Sequence, residues 1–82
     1  MKSIINGKTY NTQTAELIVE EYGHNLTIDL YRKESGEFFF YMCGGGSPPQ
    51  RIQLCDEREA KTFLELGNHT AEYIKLFGEP SE

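Results

Sequence analysis

Two strand-like runs, one alternating apolar with polar residues and one almost wholly apolar and aromatic, flank a short glycine-containing turn between Leu26 and Cys43. The first run is Leu26-Thr27-Ile28-Asp29-Leu30-Tyr31-Arg32-Lys33. The second is Glu37-Phe38-Phe39-Phe40-Tyr41-Met42-Cys43, and Glu34-Ser35-Gly36 joins the two. Two such runs around a three-residue loop predict a β-hairpin. Gly36 takes the left-handed position of that loop, where a missing Cβ removes the steric cost. The loop then sets the register. Lys33 faces Glu37, Arg32 faces Phe38, Tyr31 faces Phe39, Leu30 faces Phe40, Asp29 faces Tyr41 and Ile28 faces Met42. One face collects Leu26, Ile28, Leu30, Phe38, Phe40 and Met42, and is expected to be core. The other collects Thr27, Asp29, Tyr31, Phe39, Tyr41 and Cys43, which are aromatic with one carboxylate. Both faces carry large apolar groups, so the second needs its own explanation.

The rest of the chain reads as short elements. Lys2–Asn6 predicts a strand, Gly7-Lys8 a tight turn, and Thr9-Tyr10 a second short strand. Asn11 or Thr12 can cap a helix. Ala15, Ile18 and Tyr22 follow at i, i+3 and i+7 with Leu17 beside them, which predicts a helix stopped by Gly23. Arg51–Cys55 alternates as another strand. Asp56-x-x-Glu59 has capping-box spacing, and the helix that it opens carries Ala60, Phe63 and Leu64 inward as far as Gly67-Asn68. A last helix is expected over Thr70–Phe77, with Tyr73, Ile74 and Phe77 inward and Gly78 and Pro80 as stop signals. The expected class is α+β. A small antiparallel sheet of three to four strands, with a long central hairpin, packs against two or three short helices. If helices cover the first hairpin face, Tyr31, Phe39 and Tyr41 lie on the open one; a helix over that face is the alternative.

Length bounds this picture to a single domain over residues 1–82. No apolar run approaches the roughly 20 residues of a membrane span, and residues 1–6 are too short for a signal h-region. The chain is therefore expected in the cytoplasm. Cys43 and Cys55 alone do not make a disulfide framework and are expected to pack as small apolar groups.

Thirteen acids against eight bases give a net charge of −5. Nucleic-acid binding needs clustered Lys and Arg to release counterions. Here the bases are scattered, which argues against direct contact with DNA or RNA. The acids do cluster. Glu16, Glu20 and Glu21 fall in the first expected helix, and Asp56, Glu57 and Glu59 open the second. They make either a solvated face with helix-dipole complementarity or a negative surface for a basic partner.

Catalytic patterns are absent from the sequence. His24 and His69 have no metal-ligand spacing around them, and neither cysteine has a histidine near it in sequence. The serines lack a nucleophile elbow. Gly44-Gly45-Gly46-Ser47-Pro48-Pro49 has no phosphate-loop lysine and precedes a strand. It reads as a strand connector, or as bare amides that a ligand can approach closely. No enzyme activity, metal or cofactor is expected. The binding candidates are Asp29, Tyr31, Phe39 and Tyr41, the loop residues Gly44, Gly45 and Gly46, and the acids Glu16, Glu20 and Glu21.

A resemblance runs across most of the chain. It is carried by Ile5-Asn6-Gly7-Lys8-x-Tyr10-Asn11-Thr12-x-Thr14-Ala15, Leu30-Tyr31-Arg32-Lys33-x-x-Gly36-Glu37-Phe38-Phe39, Gly44-Gly45 and Ile52-x-Leu54. These segments resemble a group of small proteins from phages and mobile elements of Gram-positive bacteria. In that group a longer loop often follows the glycines, and this chain is shorter there. The resemblance implies a phage or mobile-element accessory protein. That is a genomic setting and not an activity; small acidic phage proteins without catalytic residues are often counter-defence proteins, and an anti-CRISPR-like inhibitor that binds a host nuclease complex inside the bacterial cell is the leading expectation. Two other functions stand beside it. One is a sponge for a nucleotide immune signal, stacking bases on Tyr31, Phe39 or Tyr41. The other is a structural or assembly module.

Overall fold

The computed structural model describes residues 1–45 and 50–78. Its elements run β1 (Lys2–Ile5), β2 (Lys8–Asn11), β3 (Glu16–Gly23), β4 (Leu26–Arg32), β5 (Phe38–Gly44), β6 (Gln50–Cys55), α1 (Glu57–Leu66) and α2 (Thr70–Phe77). The class is α+β. Strands β3-β4-β5-β6 form one antiparallel sheet in sequence order, and β1-β2 form a separate hairpin.

The long hairpin has the register that its loop demands. Arg32 pairs with Phe38, Leu30 with Phe40 and Ile28 with Met42. The Lys33 amide donates to the Glu37 carbonyl, and the Gly36 amide to the Lys33 carbonyl, each over 2.8 Å. Gly36 sits at φ +95°, as the loop requires.

The core lies on the expected face. Val19, Leu30, Phe38 and Phe40 pack against Ala60 and Leu64 of α1. The capping box closes: the Glu59 amide donates to Asp56 Oδ1 at 2.7 Å, and the Asp56 amide to Glu59 Oε1 at 3.2 Å. Such a cap is worth about 1 kcal/mol. Phe63 meets the Phe40 ring edge-on at 4.9 Å. In α2 the inward stripe is Tyr73, Leu76 and Phe77. Ile74, expected inward, is 37% exposed. Pro80 and the loop residues 46–49 lie outside the described residues.

One expected element is of the wrong type. The segment read as the N-terminal helix is β3, paired along its length with β4. The cause is a β-bulge. Leu17 pairs with Tyr31 but Val19 pairs with Leu30, so Ile18 is an extra residue. Ile18 and Val19 then both turn toward the core, and the period-two alternation is broken there. The interrupted pattern imitates helical spacing, while β-branched Ile18 and Val19 favour the strand. Gly23 is the last residue of β3, opposite Leu26, and does not cap a helix.

Candidate functional site

Cross-strand pairing arranges the second sheet face in three rows. The first is Leu17–Tyr31–Phe39–Leu54. The second is Glu20–Asp29–Tyr41–Ile52, and the third is Tyr22–Thr27–Cys43–Gln50.

The first row is covered by the β1-β2 hairpin. Tyr10, 3% exposed, lies edge-on to Phe39 with centroids 5.6 Å apart. Tyr31 stacks on Phe39 at 5.3 Å with planes 7° apart. Lys33 Nζ sits 4.2 Å from the Tyr10 ring centre. The Tyr10 hydroxyl and Lys8 Nζ both donate to Glu37 Oε2, at 3.2 and 3.4 Å. Phe39 has no accessible surface. The expectation that it lies on an open face is therefore corrected: it is a second, smaller core. Tyr10 follows the Asn6-Gly7 turn, whose residues both have positive φ. A hairpin of four-residue strands with one large ring gives little sign in sequence that it is a cover.

The second and third rows are different. Among the described residues, no hydrogen bond, ion pair or ring contact joins them to β1, β2 or the helices. Asp29 and Tyr41 are partly buried by their neighbours, and Tyr22 is 79% exposed. Glu20 stands directly across from Asp29, and the Tyr22 hydroxyl donates to Glu20 Oε2 at 2.8 Å. Asp29 Oδ1 is enclosed and has no hydrogen-bond partner. Burial, and next the Glu20 charge, raise the Asp29 carboxyl above its ordinary value. Tyr31 is raised by burial and then by Asp29, Glu20 and Tyr41. Tyr22 is raised first by its hydrogen bond to Glu20 and then by that carboxylate's charge. These groups lie close enough to feel one another, and every contribution is of one sign.

The three acids expected to act together are divided. Glu20 belongs to this face. Glu16 and Glu21 point to the helix side, where Glu16 reaches Lys75 at 3.9 Å and Glu21 reaches His69 at 2.9 Å. Strand alternation separates Glu20 from Glu21, and the extra residue at Ile18 puts Glu16 on the opposite face from Glu20. Gly44 and Gly45 have positive φ. A Cβ on Gly44 would stand 2.5 Å from the Asn25 carbonyl oxygen, and one on Gly45 would press Leu26 at 3.3 Å. Both glycines admit the β3-β4 turn. Gly46 lies outside the described residues.

Cys55 is a poor nucleophile. Both thiols are free, and their pairings with Gln50 and Phe38 put them on opposite sheet faces. Burial, with Glu59 and Asp56 beside it, pushes the Cys55 thiol up to about 12. A thiol so raised is protonated and unreactive near neutral pH. Cys55 lines a cleft of about 480 Å³ with Tyr10, Arg32, Glu37 and Phe77. His24 is exposed in the β3-β4 turn. Among the described residues, no three His, Cys, Asp or Glu side chains gather as a metal site would require. Comparison with protein-family models, curated proteins and solved structures finds no match for this chain.

Proposed function

We propose that this chain is a non-enzymatic binding protein. Its open sheet face docks on a basic surface and so excludes nucleic acid from it. The observation that carries this reading is the second row. Two carboxylates oppose each other beside tyrosine rings, with no countercharge from the described residues. Like charges directly opposed across strands are destabilising, and a basic partner relieves that repulsion. Clustered tyrosines supply rigid contact area of the kind that anchors interfaces. The net charge of −5 favours approach to a positive surface.

The resemblance to phage and mobile-element proteins directs the choice of partner. A nuclease complex of the bacterial host presents a basic nucleic-acid channel, and masking it is a counter-defence activity in the host cytoplasm. The same electrostatics speak against a nucleotide sponge, since Glu20 and Asp29 repel phosphate beside the rings that would stack a base.

The test is capture of a nuclease complex from a Gram-positive host lysate by the tagged protein, followed by competition. Purified complex should lose its DNA or RNA as the protein is added, less so at high salt. Captured nuclease that still holds its nucleic acid at saturating protein would overturn the reading.

A further inference from the structure

The second row has the make-up of a receptor for one particular side chain. Of the described acids, Glu16, Glu21, Glu37, Glu57 and Glu72 each lie within 4.0 Å of a basic group. Glu20, Asp29, Glu34, Asp56, Glu59 and Glu65 do not, and of these Glu20 and Asp29 stand directly opposite each other on neighbouring strands. Glu20 is steadied by the Tyr22 hydroxyl; Asp29 Oδ1 is enclosed without a hydrogen-bond partner, which leaves Oδ2 as the acceptor for an incoming donor. Tyr41 follows Asp29 in the row, and the Tyr31 phenol lies near enough to respond to Asp29, Glu20 and Tyr41. A bound metal ion would need a third anionic or imidazole ligand, and none gathers there among the described residues.

We propose that this row receives an arginine side chain of the partner, the guanidinium lying on the Tyr41 ring and dividing its N–H fork between Glu20 and Asp29. This rests on the binding function proposed above. Arginine fits where lysine does not. Its planar cation stacks on aromatic faces and presents several donors in a fixed fork, whereas an ammonium is a compact, strongly hydrated point charge. Two acceptors on adjacent strands beside a ring match the fork. Bidentate, charge-assisted bonds of this kind are roughly twice as strong as neutral ones.

The test uses the whole chain with fluorescent arginine and lysine nonamers, matched in charge, at about 0.15 M salt, where long-range attraction is largely screened. The arginine peptide should bind at least about fivefold more tightly than the lysine peptide, as expected for a fork over a point charge. Asp29→Asn and Glu20→Gln should each weaken arginine binding about tenfold. Tyr41→Leu should remove most of the preference for arginine. Glu57→Gln, remote on α1, should change binding less than about twofold, as expected for a screened surface charge. Equal affinity for the two peptides would overturn the inference, as would equal losses from Asp29→Asn and Glu57→Gln. If a nuclease complex is still captured and stripped of nucleic acid while the peptides bind alike, the masking function stands and only the arginine receptor falls.

Discussion

Glu21 Oε1 and His69 Nε2 lie 2.9 Å apart and join β3 to the α1-α2 turn, 48 residues away in sequence. Gly67 makes room for the pair. Its φ of −90° would suit any residue, but a Cβ there would collide with both Glu21 and His69. Both are movable side-chain ends, so Gly67→Ala should displace the Glu21–His69 contact and destabilise by about 0.5–1.5 kcal/mol, the worth of a typical hydrogen bond. Urea unfolding measures this. A midpoint equal to the parent's would mean that the turn can move aside without loss.

Phe39 and Phe40 are neighbours in sequence and belong to two different cores. Each should cost about 3–5 kcal/mol on truncation to alanine. A domain of this size has little stability in reserve, so either variant can fail to fold. Thermal unfolding is the check. A Phe39→Ala protein that melts with the parent would show that the Tyr10 hairpin contributes no packing.

Gly36 and Gly44 separate strain from collision. Both have positive φ, but nothing lies within 4 Å of a Cβ at Gly36, whereas the Asn25 carbonyl blocks one at Gly44. Gly36→Ala should cost about 1–2 kcal/mol from the left-handed backbone alone. Gly44→Ala should cost more. Equal losses in parallel denaturant titrations would mean that the β3-β4 turn yields to the added methyl.

The hairpin register, the capping box and the bounds of α2 were all legible because each is set within a few residues. The loop Glu34-Ser35-Gly36 fixes the pairings of β4 and β5, and Asp56 with Glu59 announces α1 by spacing alone. β3 was not legible, because Ile18 interrupts the alternation that marks a strand. The misreading carried into the site: a helix would place Glu16, Glu20 and Glu21 together, and the strand divides them. Asp29 and Tyr41 could be placed on the open part of the face because the hairpin register sets their side, whereas Tyr31, on the same face, stacks on Phe39 in the covered row. The covering of Phe39 by Tyr10 is a contact across 29 residues, and local pattern holds no trace of it.

Asp29 should reduce stability near neutral pH. Burial and Glu20 raise its folded-state pKa above the ordinary 3.8, so folding disfavours the ionised form. Below that ordinary value the carboxyl is protonated in both states and the penalty vanishes. Above the folded value it is fully present. Asp29→Asn should melt higher than the parent at pH 7, with the difference closing as pH falls toward 3.8. A variant that melts lower at pH 7 would mean that the carboxylate has a stabilising partner.

Glu37 should behave in the opposite sense. Burial works to raise its pKa, but hydrogen bonds from Ser35, Lys8 and Tyr10 and the charge of Lys33 bring it below the ordinary 4.5. Its contribution is present above 4.5 and is lost as pH falls through the lower folded value. Glu37→Gln should melt lower than the parent at pH 7 and approach it in acid. Melting curves of the two proteins between neutral and acid pH decide this, and a gap that widens on acidification would refute it.

The bulge at Ile18 also bears on association between copies of the chain. β3 is the outermost strand on its side of the sheet, and its free amides and carbonyls are a template for an intruding strand. An intruder must match a strand with one residue too many, bent and overtwisted at that point. It must also approach Glu16 and Glu20, both exposed there. The inserted residue that disguises β3 as a helix thus guards the border against edge-to-edge aggregation.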